Sequence, residues 1–128
     1  MNLLLDTCAL LWFLSDDPQL STTAKTVIQD PANARWVSPI SLLEIAVKVR
    51  IGKLPLKRPF GMLFPIELSS NDIHLLPIKP QHIEPLTTLP FHHKDPFDRV
   101  IVATSLVERL TLVSADAILD AYGVTRLW

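Results

Sequence analysis

An α/β sandwich with a mainly parallel sheet is the fold that the sequence predicts, and three observations predict it. Short apolar runs alternate with helical segments from one end of the chain to the other. Only three Gly stand against eleven Pro, so turns are set by proline and by Asx or Ser caps. Of 128 residues, 48% are apolar, which fills a sizeable core, and residues 1–128 are expected to form a single domain.

Each element has its own signal. Asn2–Asp6 is an apolar run ending in an acid and reads as a buried strand, followed by a helix over Thr7–Leu14. Ser21 caps a helix to about Gln29, which Asp30-Pro31 stops. Ala34–Val37 is a second strand. Ser38 as N-cap and Pro39 at the first helical position open a strong helix over Ile40–Arg50, stopped by Gly52. A helix over Gly61–Ser69 is weakened by Pro65. Ile73–Leu76 reads as a strand, Pro80–Thr87 as a short helix and Leu89–Lys94 as a loop. Asp95-Pro96 caps a long helix to about Arg109. Leu110–Ser114 is a strand, Ala115–Ala121 a short helix, and Val124–Leu127 a closing strand.

Several function classes are excluded at this point. Twelve Lys and Arg against thirteen Asp and Glu give a formal net charge of −1, so a generally basic, nucleic-acid-coating protein is not expected. The single Cys8 removes disulfide frameworks and multi-cysteine metal sites. The Gly-rich phosphate loops of nucleotide-binding folds are absent. Neither a signal peptide nor a membrane-spanning run is recognisable, and the expected setting is the cytoplasm, with no membrane partner.

The acids are informative by position. Asp6 and Asp116 follow apolar strands, where the carboxyl ends of a parallel sheet form the ligand crevice. Glu44 shares a helical stripe with Ile40 and Val47, and Asp98 one with Ile101 and Val102. Each has a plainer reading. Glu44 could face solvent or pair with Lys48, and Asp98 could close a capping box with Asp95 as N-cap. If Asp6, Glu44, Asp98 and Asp116 converge, like charges about 5 Å apart repel by about 3 kcal/mol per pair. No neighbouring Lys or Arg obviously offsets that. A hard divalent cation does, and all-oxygen ligands select Mg²⁺ or Mn²⁺, which suits phosphodiester hydrolysis.

Four motifs then resemble the PIN-domain ribonucleases, and specifically the VapC-type toxins of bacterial toxin–antitoxin pairs. They are Leu4-Leu5-Asp6-Thr7, Ser38-Pro39-Ile40-Ser41-Leu42-Leu43-Glu44-Ile45-Ala46-Val47-Lys48, His93-Lys94-Asp95-Pro96-Phe97-Asp98-Arg99-Val100-Ile101-Val102-Ala103-Thr104 and Leu112-Val113-Ser114-Ala115-Asp116. Leu-Asp-Thr alone is weak; the ordered set is specific. The resemblance implies a three-layer fold with about five strands. It implies a Mg²⁺- or Mn²⁺-dependent RNA endonuclease that acts as a homodimeric toxin held by a cognate antitoxin. It assigns metal binding and catalysis to Asp6, Glu44, Asp98 and Asp116, with Asp116 the least secure. Thr7 and Ser114 match supporting hydroxyl positions, and Asp95 caps the helix, joins the acidic site, or both.

Other residues carry paired readings. Lys48, Arg50, Lys53, Lys57 and Arg58 form either a phosphate-tracking edge, with Lys48, Arg50 and Lys53 as RNA contacts, or a solvated helix end. His92 and His93 are expected as an exposed loop pair rather than general acids. Cys8 is expected in the core. Trp12, Phe13, Trp36, Phe60 and Trp128 are core or interface anchors, and the first, second, third and fourth of these motivate a dimer and an antitoxin groove. Competing classes are a haloacid-dehalogenase-like phosphatase, which wants an acid where Cys8 stands, a receiver domain, and a non-catalytic interaction module.

Overall fold

A computed structural model describes residues 1–128. Its centre is a five-stranded, all-parallel sheet of order β3-β2-β1-β4-β5. The strands are β1 (Asn2–Leu5), β2 (Ala34–Val37), β3 (Ile73–Leu75), β4 (Thr111–Val113) and β5 (Arg126–Leu127). The helices are α1 (Thr7–Leu14), α2 (Thr22–Gln29), α3 (Pro39–Arg50), α4 (Phe60–Leu63), α5 (Ile66–Ser70), α6 (Pro80–Ile83) and α7 (Pro96–Glu108).

The pleat sorts the apolar residues onto two faces. Leu3, Leu5, Val37 and Val113 meet Leu10, Ala24, Ile28 and Ile45 in the larger core. Leu4 and Leu112 point the other way, against Ile101, Val102 and Leu119. Helices thus cover both faces, which makes the three layers expected. Strands buried on both sides explain the unbroken apolar runs in the sequence.

The caps match the sequence signals. Ser21 Oγ accepts from Ala24 N at 3.0 Å, and Ser38 Oγ from Ile40 N at 3.1 Å. Gly52 takes φ +77°, ending α3 in the left-handed region that favours glycine. Several boundaries differ for local reasons. β1 ends at Leu5 because Asp6 is already the N-cap of α1. Pro65 divides the Gly61–Ser69 segment into α4 and α5, and Pro85 tightens the Pro80–Thr87 segment into α6 and a 3-10 turn over Glu84–Thr87. The Ala115–Ala121 helix is a 3-10 turn over Ala117–Tyr122, capped by Asp116.

Trp12, Phe13, Phe60 and Trp128 pack on the larger core and Trp36 on the smaller. Packing on the core accounts for one side of each ring; all five stay half-buried, which leaves the other side open to a partner. Among the exposed apolar side chains are Leu43 and Val47 on α3 and Ile51 at its C-cap, at four-residue spacing, and Phe91 in the loop before α7. No helix is long and apolar enough to cross a membrane.

Candidate active site

The chain runs outward from β1 to β2 and β3, then returns to the other side of β1 for β4 and β5. The carboxyl ends of β1 and β4 therefore flank the point where the strand order reverses, which is where parallel sheets open a crevice. Asp6 follows β1 and Asp116 follows β4.

Asp6 is 8% exposed, and its Oδ1 accepts from Ala9 N at 2.8 Å. Burial pushes its carboxyl above the usual range. Hydrogen bonds from Ser114 and Ala9 N–H oppose that rise, and the charges of Glu44 and Asp116 add to it. Ser114, fully buried, also accepts Asp116 N at 3.1 Å, so one hydroxyl ties the two strand-end acids together.

Glu44 is 3% exposed on α3. Its Oε1 takes the Thr7 hydroxyl at 2.6 Å and its Oε2 the Lys48 ammonium at 2.6 Å. Thr7 also meets Ser41 Oγ at 3.0 Å. Glu44 is thus both buried and paired with Lys48, the two readings that the sequence left as alternatives. Ser41 and Ile45 are buried with it on α3, Lys48 is half-exposed, and Val47, expected on the same stripe, is 40% exposed. Lys48 is the neighbouring counter-charge, in the pairing that the sequence offered as the plainer reading of Glu44, and its ammonium is held more basic than usual, first by the hydrogen bond to Glu44. That contact occupies the Nζ expected to track phosphates, whereas Arg50 and Lys53 are exposed.

Asp95 caps α7, its Oδ1 accepting from Phe97 N at 2.8 Å and Asp98 N at 3.4 Å. The reciprocal half of a capping box is absent. The Asp95 N–H goes to His93 Nδ1 at 3.1 Å, which leaves the Asp98 carboxylate free of capping duty. Burial, then the charges of Asp95 and Glu44, push Asp98 up to about 7, while His93 pulls it down.

His93 corrects the expectation of an exposed loop pair. Its Nε2 lies 2.9 Å from Asp116 Oδ2 and 3.3 Å from Asp98 Oδ2, with the side chain 19% exposed. Because Nδ1 accepts a backbone N–H, Nε2 is the nitrogen that donates. His93, Asp98 and Asp116 each offer a ligand atom, and these atoms lie within 4.8 Å of one another. Asp6 and Glu44, expected with Asp98 and Asp116, are not in this trio; their charges raise the Asp98 carboxyl. His92, by contrast, is exposed, its ring 5.0 Å from that of Tyr122. Cys8 is exposed rather than in the core. Its thiol is pushed up to about 11 by desolvation and the Asp6 charge, so it is a poor nucleophile.

Arg99 and Tyr122 carry a role that sequence reading missed. Arg99 is 6% exposed and donates to the carbonyls of Pro90 at 2.7 Å and Leu89 at 2.9 Å, and to the Tyr122 hydroxyl at 3.2 Å. That hydroxyl donates to Pro90 O at 2.8 Å and accepts His93 N at 2.9 Å. The pair clamps the 89–94 loop and so holds His93 in the site. Its only sequence signal is an arginine flanked by apolar residues next to Asp98.

The PIN domain family model matches residues 3–124. No curated protein sequence matches the chain. Among solved structures, VapBC2 from Rickettsia felis bound to a promoter DNA fragment aligns at 15% identity with TM-score 0.72, covering 99% of this chain and 98% of that one. VapBC-1 from nontypeable Haemophilus influenzae aligns at 18% identity with TM-score 0.67, covering 99% and 97%. A toxin–antitoxin complex from Klebsiella pneumoniae aligns at 19% identity with TM-score 0.62, covering 98% and 95%. At such identities these likenesses speak for the fold, and the family model speaks for membership: with nearly the whole length matched and the sheet and its acids in place, the chain belongs to the PIN domain family.

Proposed function

We propose that this protein is a Mg²⁺- or Mn²⁺-dependent RNA endonuclease, the toxin of a toxin–antitoxin pair, acting in the cytoplasm as one domain spanning residues 1–128. The observation that carries the reading is Asp98. It is a half-buried carboxyl raised to about 7 by burial and by the acids around it, within 4.8 Å of ligand atoms on His93 and Asp116. Acids so arranged repel one another unless a cation joins them.

The donor set fits a hard divalent cation. Asp98 and Asp116 offer carboxylate oxygens and His93 an imidazole nitrogen, Asp6 and Glu44 act on Asp98 by charge, and no thiolate takes part; two carboxylates and an imidazole suit Mn²⁺ as well as they suit Mg²⁺. We assign the metal to Asp98 and Asp116 and, with them, to Asp6 and Glu44; Glu44 would join only by giving up the Lys48 ammonium that now holds its Oε2. A bound cation there would neutralise the carboxylates and supply Lewis-acid chemistry to a phosphodiester. The chain's own groups do the rest. Thr7 and Lys48 hold both oxygens of Glu44. Ser114 orients Asp6 and Asp116. Arg50, Lys53 and Lys57 form an exposed cationic edge for the RNA backbone, without sequence choice.

A cognate antitoxin fits a groove of about 470 Å³ at the C-terminal end of α1, where Leu11, Trp12, Leu54 and Leu63 stand among the charged Asp16, Asp17, Lys57, Arg58 and Glu67. The Leu43, Val47 and Ile51 stripe is the surface we assign to homodimer contact. The solved structures of similar fold are toxin–antitoxin assemblies, which favours this partner.

The test is cleavage of total RNA with Mn²⁺ by the chain and by Asp98→Asn, with sequencing of the new RNA ends. Discrete ends made by the chain and not by the variant are expected. A chain that neither binds Mn²⁺ nor cuts RNA would be a non-catalytic module.

A further inference from the structure

Phe91 is 79% exposed, the most exposed of the large apolar side chains. It is nonetheless fixed. The Arg99 guanidinium lies 4.2 Å from its ring centroid. The edges of that guanidinium are spent on Leu89 O, Pro90 O and the Tyr122 hydroxyl, so its flat face is what remains for the ring. Arg99 itself is buried and cannot follow a moving ring. On either side of Phe91 the backbone is pinned, by Pro90 O to Tyr122 and by His93 N to Tyr122. The outcome is an aromatic ring backed on one face and open to solvent on the other.

Its position gives the open face a use. His93, two residues on, touches Asp98 and Asp116. Two residues span at most about 7 Å of chain, so the backbone that carries the ring lies that close to the backbone of His93, and Arg99, which backs the ring, follows Asp98 directly in sequence. Its neighbours His92 and Lys94 are exposed and carry no acid. Rigid aromatics beside cationic groups are how proteins hold unpaired bases, because every base has a π-face. A protein partner would ask for a broad apolar patch around the ring; here the exposed Pro90 lies on one side and the exposed His92 and Lys94 on the other.

We propose that Phe91, backed by Arg99, is a stacking platform for one base of a single-stranded RNA, placed beside the phosphate that the acids address. The proposal rests on the nuclease reading above and names the substrate as unpaired RNA.

The experiment uses the full chain with Asp98→Asn, so that RNA stays intact. Fluorescence anisotropy measures binding of short oligo(A), oligo(U) and an abasic ribose-phosphate oligomer of equal charge. Phe91→Ala is expected to weaken oligo(A) about tenfold, oligo(U) less and the abasic oligomer not at all. Phe91→Trp should restore the preference for oligo(A), and the salt dependence should be unchanged in both variants. Equal weakening on the abasic oligomer, or none on oligo(A), overturns the proposal. So does a Phe91→Ala effect confined to capture of a protein partner. If the unsubstituted chain cuts RNA while Phe91→Ala binds normally, only this inference fails. If stacking is seen but no RNA is cut, the nuclease reading fails and the platform stands.

Discussion

His93 Nε2 sits between two carboxylates, 2.9 Å from Asp116 Oδ2 and 3.3 Å from Asp98 Oδ2. In the free chain an imidazole thus lies between two of the clustered acids. Removing it takes away the one group found to draw the Asp98 carboxyl down. His93→Ala should therefore move Asp98 above its value of about 7, which carboxyl NMR titration of the metal-free protein reads directly.

Asp98 ionises at about 7 in the fold against 3.8 for an unburied aspartate. Its contribution to stability is full below about pH 4 and is lost as pH rises through about 7. Asp98→Asn keeps the size and removes the charge. The metal-free variant should match the parent near pH 4 and be more stable by about 2–4 kcal/mol at pH 8. Melting across that range checks it; a variant less stable at every pH would mean that Asp98 holds the helix end instead.

Asp95 combines a cap with a charge, and two substitutions separate them. Asp95→Ser keeps an acceptor for the Phe97 and Asp98 N–H groups, whereas Asp95→Ala loses it and should cost about 1 kcal/mol more. Both remove the neighbouring charge that ranks next after burial in raising Asp98. In both, then, the Asp98 titration should shift down by a similar amount while the denaturation midpoints differ.

Glu44 depends on Lys48, whose side chain is 41% exposed. Lys48→Met leaves a buried carboxylate with only Thr7 as partner. The expected loss is about 1–2 kcal/mol at pH 8, moderated by the water that reaches the lysine. Added Mn²⁺ should recover much of it, because a cation in the crevice replaces the missing charge.

Away from the site, His82 is fully buried, with Nε2 2.7 Å from Glu108 Oε1 and Nδ1 accepting Lys79 N at 3.0 Å. It ties α6 to α7. His82→Ala should cost about 2–4 kcal/mol through a cavity and unpaired polar groups. Asp98 titration in that variant should stay unchanged, which separates scaffold from site.

By itself the sequence determined the α/β alternation, the all-important placement of acids after β1 and β4, and the caps at Ser21, Ser38 and Asp95. These follow from local periodicity and from side chains that bond within a few residues of themselves. It also held the ordered motifs that resemble the PIN family. Only the tertiary structure decided how the site is wired. That Thr7 joins Lys48 on Glu44 and that Arg99 and Tyr122 hold the 89–94 loop depend on contacts between segments up to 37 residues apart; the turn of the Asp95 N–H to His93 is local, but it is made in a loop which that clamp holds. Cys8 and Val47 fell on the solvent side for the same reason. A helical stripe tells which residues share a face, but the rotation of that face toward core or crevice is set by what the rest of the chain packs against it.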